Sequence, residues 1–136
     1  MSSLEPLDTP VYCIHLRSKT MYYTDSFDPR GDEFETVEEP RELARAVRSA
    51  QGDAIVVDCL TLWLANVMGD AEETIAAAKE HAAEVICVTN EVGCGIVPEN
   101  ALAREFRDRA GRMNQRFAEA ADEAYWMVFG QALRIK

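Results

Sequence analysis

Two short apolar runs that each break off at polar residues constrain this chain more than anything else in it: "AIVVD" at 54–58 and "VICVTN" at 85–90. Each is too short for a helix and too apolar for a surface ribbon. Both therefore read as strands of a parallel sheet buried on both faces, the second over 85–89. The intervening segments have helical patterns. Residues 60–68 are apolar almost all round and 71–83 are more exposed in character. From 99 to 121, Leu102, Phe106, Ala110, Met113, Phe117 and Ala121 recur every three or four positions, a core-facing stripe interrupted by Gly111. A helix is also expected from Pro40 to about residue 50, with Leu43, Ala46, Val47 and Ala50 on one stripe and Gly52 closing it. Residues 11–16 read as a first strand, and 19–40 as loop or irregular extended chain with a turn at Pro29-Arg30-Gly31. Two last strands, 124–129 and 132–135, meet at Gly130-Gln131. Strands alternating with helices predict an α/β fold with a mostly parallel sheet and right-handed crossovers.

The 136 residues suit one domain, 1–136, and carry a formal charge of -10, with 24 acidic residues against 14 Lys and Arg. A nucleic-acid partner is not expected, because neutralising phosphates needs a basic face. Cys13, Cys59, Cys87 and Cys94 form no Cys-x-x-Cys pair and mostly lie in or beside apolar runs, as small hydrophobes do. With His15 and His81 the only histidines, a structural zinc site is not expected either. No run approaches the length of a membrane span, and "MSSLEPLDTP" has neither a basic start nor an apolar stretch for export, so a reducing cytoplasm is the expected location.

Three groups of residues have a chemical reading beside a structural one. Asp58 closes an apolar strand, where an acid can hold Mg²⁺ beside phosphates, or can cap the following helix with Thr61. Asn90 and Glu91, followed by Val92-Gly93-Cys94-Gly95, fit either a nest of N–H groups around an anion or a tight strand-to-helix connection. Arg104, Arg107, Arg109, Arg112 and Arg116 can bind phosphate, or solvate a helix and pair with Glu105, Asp108 and Glu119, as spacing permits for Arg104 and Asp108.

Beyond these local readings, "VVDCLTLWLANVM", "VTNEVGCGIVPENALAREFRDRAGRMNQRFAEAADEAY" and the terminal "GQALRIK" closely resemble the bifunctional adenosylcobinamide kinase / adenosylcobinamide-phosphate guanylyltransferase family. "FETVEEP" resembles that family's Trp-x-Thr-x-Glu-x-Pro segment, so 30–136 is family-like and 1–29 divergent. The resemblance implies a P-loop, RecA-like three-layer sandwich and a homo-oligomer, in the family usually a trimer. It implies that ATP or GTP with Mg²⁺ first phosphorylates the aminopropanol arm of adenosylcobinamide. GTP then guanylylates a histidine, and GMP passes to the corrinoid phosphate to give adenosylcobinamide-GDP. Corrinoid and guanine nucleotide are thus the implied partners, with no permanently bound cofactor. By position, Asp58 matches the acid holding Mg²⁺ through the nucleotide, Glu38 a nucleotide-contacting glutamate, and Arg30 the arginine after the guanylylated histidine.

The chain departs from the family pattern at its start. The family's Gly-x-x-x-x-Gly-Lys-Ser loop has no counterpart: of Lys19, Lys79 and Lys136, none follows a glycine. "HLRSKT" resembles that loop with a glycine deleted, which would make Lys19 and Thr20 its remnant. "PVYCIHL" instead resembles the family's second strand, the preferred frame, and leaves the loop, its strand and its helix missing. Ser26 stands where the family has its guanylylated histidine, and His15 is a poor substitute at the end of an apolar strand. Losing one preorganised donor typically costs about 10²–10³ in rate, so kinase turnover by this chain alone is expected to be undetectable. The bared sheet edges then need a cover, either 11–16 or another chain.

Overall fold

The computed structural model describes residues 11–15, as backbone, and 34–136. Strands β1 (Val11–His15), β2 (Phe34–Glu38), β3 (Ala54–Asp58) and β4 (Glu84–Val88) form one parallel sheet in the order β2-β1-β3-β4. Helix α1 (Leu43–Ser49) connects β2 to β3, and α2 (Leu60–Val67) with α3 (Glu72–Glu80) connects β3 to β4. A single 3-10 turn, Val92–Cys94, precedes α4 (Ala101–Ala120), which leads to an antiparallel hairpin of β5 (Tyr125–Val128) and β6 (Gln131–Arg134). The fold is α/β with a parallel sheet. No helix of the described residues is long and apolar enough to cross a membrane.

The core sits between the helices and one face of the sheet. In β3 the alternate residues Ile55 and Val57 are fully buried, and in β4 Val85 and Cys87 pack beside them. Against this face lie Leu43 and Val47 of α1, Leu60, Trp63 and Leu64 of α2, Ile75 and Ala77 of α3, and Ala110 and Met113 of α4. Each fully buried aliphatic side chain here contributes roughly 1.5–3 kcal/mol by leaving water.

The other face corrects the expectation that the second apolar run is buried on both sides. As an edge strand, β4 leaves Ile86 45% and Val88 42% exposed. The helical stripe needs a similar correction at its first position, because Leu102 remains 66% exposed while Ala110 and Met113 fill the core. Residues 34–38, expected to be loop or irregular extended chain, form the regular strand β2. "FETVE" mixes acids with apolar residues because Glu35, Thr36, Val37 and Glu38 are all exposed on an edge strand, and the ladder to β1 rather than burial holds them extended.

Local chemistry explains where the helices begin and end. The Glu39 carboxylate accepts N–H groups of Arg41 (3.0 Å) and Glu42 (2.9 Å), so residues 40–42 make a capped turn and α1 starts at Leu43 rather than Pro40. These backbone donors, with Arg45 nearby, hold the Glu39 carboxyl below the usual carboxylate range. Trp63 donates its indole N–H to the Arg41 carbonyl at 2.9 Å and Asn66 donates to the Pro40 carbonyl at 3.0 Å, tying α2 to the chain leaving β2. Asn100 caps α4 by accepting from Leu102 and Ala103, and Lys136 donates to the carbonyls of Ala118, Glu119 and Ala121 at the helix's far end. The hairpin turns at Phe129-Gly130, one residue earlier than expected, with φ of 50° and 72° as a two-residue type I′ loop requires.

Leu60→Ala is expected to destabilise the fold by about 2–5 kcal/mol, through lost burial and a residual cavity. By contrast, Phe129→Asn should stabilise it slightly, because Phe129 is 99% exposed and Asn tolerates positive φ better. Urea denaturation of the two variants beside the parent chain checks both signs.

Candidate functional site

Parallel pairing lines up the carboxyl ends of the strands. His15 is in register with Glu38 on one side and Asp58 on the other, and Asp58 is in register with Val88. Neighbouring strands lie about 4.8 Å apart, so the backbones of Glu38 and Asp58 sit roughly 10 Å apart with position 15 between them. Ligands of open parallel sheets bind beyond this edge. Asp58 is half-buried and Glu38 exposed. The peptide bond from Asp58 to Cys59 is cis.

Beyond the edge, a hydrogen-bonded knot fixes the loop after β4. Thr61, in the first turn of α2, accepts the Asn90 backbone N–H at 2.9 Å and its side-chain amide at 3.2 Å. Asn114 of α4 donates to the Asn90 carbonyl at 3.1 Å and accepts the Thr89 hydroxyl at 2.7 Å. Three elements thereby meet at residues 89–90 beside Asp58. Glu91 turns back on its own loop, its carboxylate accepting the Gly93 N–H at 3.2 Å. In this loop the Gly93 N–H is engaged by the Glu91 carboxylate, and neither Gly93 nor Gly95 has the positive φ that a glycine-dependent turn would use.

The arginines of α4 divide by partner. Arg104 donates to the carbonyls of Pro98 and Glu99 instead of pairing with Asp108, because the chain entering the helix lies closer to it. Arg109 pairs with Glu105 one turn earlier, and Arg116 bridges to Glu72 of α3 and to Glu119. Arg107 donates to the Gly93 carbonyl at 3.0 Å. It lines an open cavity of about 260 Å³ with Gly93, Asp108, Gly111, Arg112 and Gln115, and none of Glu38, Asp58, Asn90 or Glu91 reaches that cavity. His81 is structural: its Nδ1 accepts the Ala83 N–H, which leaves Nε2–H to donate to the Ala50 carbonyl at 3.1 Å. Among the described residues no group of three or more His, Cys, Asp or Glu is placed to hold a metal ion alone.

Residues 27–135 match the family described as cobinamide kinase / cobinamide phosphate guanyltransferase, CobU. The chain belongs to this family. Similar proteins include the bifunctional adenosylcobalamin biosynthesis protein CobU of Salmonella typhimurium, 44% identical over 109 residues, covering 64% of this chain and 60% of that protein. The Escherichia coli protein of the same name is 34% identical over 131 residues, covering 79% of this chain and 72% of that one. CobP of Pseudomonas aeruginosa is 36% identical over 112 residues, with 74% and 65% covered. The chain thus spans between 60% and 72% of the length of these curated relatives.

Against the family expectations, the fold brings Glu38 and Asp58 to one sheet edge with Asn90 and Glu91 in the loop beyond it. Lys19, Ser26 and Arg30 lie outside the described residues, and His15 is placed only by its register. Sequence reasoning missed Thr61 as a hydrogen-bonding centre and Asn114 altogether. Neither carries a signal in the sequence, because each acquires its role only through contacts with residues 89–90.

The cysteines report on this geometry. Burial pushes the Cys87 thiol up to about 11, whereas Cys94 is exposed on the loop. At pH 8, iodoacetamide should modify Cys94 well before Cys87, as read by peptide mass spectrometry. Because the folded Cys87 is harder to ionise than the unfolded one, its contribution to stability is complete below about pH 9 and declines as pH rises towards 11. The difference in urea midpoint between the parent chain and Cys87→Ala should change over that window and not below it.

Proposed function

We propose that this chain acts in cobalamin biosynthesis as the nucleotide-side half of a cobinamide kinase and guanylyltransferase site. Family membership supports this, and the alignment of Asp58 with Glu38 at the carboxyl edge carries it. In this reading Asp58 meets Mg²⁺ through the nucleotide, Glu38 and Arg30 contact the nucleotide, and Asn90 and Glu91 shape the rim facing nucleotide or corrinoid. Asp58 fits such a metal: it is a single oxygen donor at an open edge, and Mg²⁺ usually takes one or two carboxylates and completes its shell with phosphate and water. When bound, the metal would neutralise charge on the phosphates. The chain's own residues orient the nucleotide and fix the loop against α2 and α4.

The wider architecture in this reading is a RecA-like P-loop sandwich of three layers, in a cytoplasmic homo-oligomer of trimeric form. The exposure of Ile86 and Val88 on the free edge strand supports a covering partner, since such an edge invites strand addition. Exposed Ile96, Val97 and Leu102 beside the loop after β4 add apolar surface suited to a bulky substrate or a second subunit. The same surfaces favour a second reading, in which the chain is not a remnant of the enzyme site but a regulatory module that binds corrinoid or guanine nucleotide or completes an intact paralogue.

The 136 residues contain no glycine followed by lysine, and phosphoryl transfer rests mainly on holding phosphate oxygens in place. We therefore assign this 136-residue chain nucleotide binding without turnover of its own. Calorimetry with GTP and Mg²⁺ should show saturable binding that Asp58→Asn weakens about tenfold or more, as loss of a charge-assisted contact entails. Formation of adenosylcobinamide phosphate should stay at background. Turnover near the usual enzymatic range of about 1–10³ s⁻¹ would contradict the assignment. Light scattering should show an oligomer that Ile86→Asp dissociates while the circular dichroism of the chain stays unchanged.

A further inference from the structure

The cavity beside α4 has features that the carboxyl edge does not use. Arg107 is held by its hydrogen bond to the Gly93 carbonyl, yet its Nε is buried and has no acceptor among the described residues. A buried donor on a charged group is unfavourable until an acceptor reaches it. Arg112, on the same lining, makes no hydrogen bond or ion pair to another described residue. Between them lies Gly111, in the interior of α4, where a glycine weakens a helix. A Cβ at Gly111, which lines the cavity, would meet nothing within 4 Å, so no neighbouring side chain demands the glycine.

We propose that this cavity is an oxyanion subsite, taking a carboxylate or a phosphate oxygen between the Arg107 and Arg112 guanidinium groups that line it. Its volume of about 260 Å³ lies below the roughly 300–1,000 Å³ of pockets that enclose a whole ligand, so it takes a small anion or one substituent of a larger molecule. Two guanidiniums against the single carboxylate of Asp108 give the lining a net positive charge inside a chain of net charge -10, which favours an anionic ligand there. Asp108 and Gln115 can then accept from a hydroxyl or N–H carried by the same ligand. The subsite touches the loop after β4 through Gly93, but Glu38, Asp58, Asn90 and Glu91 do not line it, so probing its arginines is a test apart from the nucleotide reading.

The test is an NMR titration of the arginine Nε–H signals at constant ionic strength, with inorganic phosphate, acetate and GMP as separate probes. Arg107→Lys keeps the charge, removes the Nε–H and identifies the signal. The Arg107 and Arg112 signals should move saturably with at least one probe. Gly111→Leu, which grows a bulky side chain into the cavity, and Arg112→Gln should each weaken binding about tenfold or more, while Gly111→Leu melts at or above the parent temperature. Movement with GMP as well as phosphate assigns the subsite to a phosphate ester, and movement with the free anions alone assigns it to a small oxyanion. Signals that stay fixed with all three probes, or an affinity unchanged in both variants, would overturn the proposal.

Discussion

The parallel pairing of β3 on both of its sides is the constraint on which the rest depends. Its alternate residues Ile55 and Val57 anchor the helical layer, and the opposite set, Val56 and Asp58, faces away from that core. A slip of one residue would exchange the two sets. Asp58 would then enter the apolar space held by Leu60 and Trp63, where an unpaired carboxylate is strongly unfavourable, and Val57 would go to water. The alternation that builds the core is therefore the same one that delivers a carboxylate to the open edge, and the ladders to β1 and β4 bring Glu38 and the loop at Asn90 into line with it.

How much of this was legible follows from how locally each feature is determined. The bounds of β3 read directly off "AIVVD", because four apolar residues between Asp53 and Asp58 leave no other register. The long helix was readable from its spacing, but the exposure of Leu102 was not, since the spacing marks a face of the helix and not how far along it the neighbours reach. β2 was hidden because an exposed edge strand needs no apolar alternation; only its pairing with β1, a non-local contact, makes it a strand. In the site, Asp58 and Asn90 stood out as polar residues ending apolar runs. Thr61 and Asn114 did not, because a threonine or asparagine on a helix is ordinary until the fold places it against a loop from 28 or 24 residues away.

The two faces of the sheet differ in a way that links stability to function. Helices close one face, and the side chains there are packed too tightly to contact a ligand. Ile86 and Val88 on the other face keep the composition of a covered strand while remaining open, and the loop beyond them carries further exposed apolar residues. Apolar surface of this kind is retained where something docks on it. In the proposed account a nucleotide occupies the edge and a partner or bulky substrate occupies the adjoining surface, so one strand end serves both.

The most direct test of the central claim is an amide chemical-shift map recorded during titration with GTP and Mg²⁺. The account predicts saturable shifts concentrated at Glu38, Asp58 to Thr61 and Thr89 to Glu91, fading along α1 and α3. Saturable binding that leaves those amides in place and perturbs residues elsewhere would contradict it.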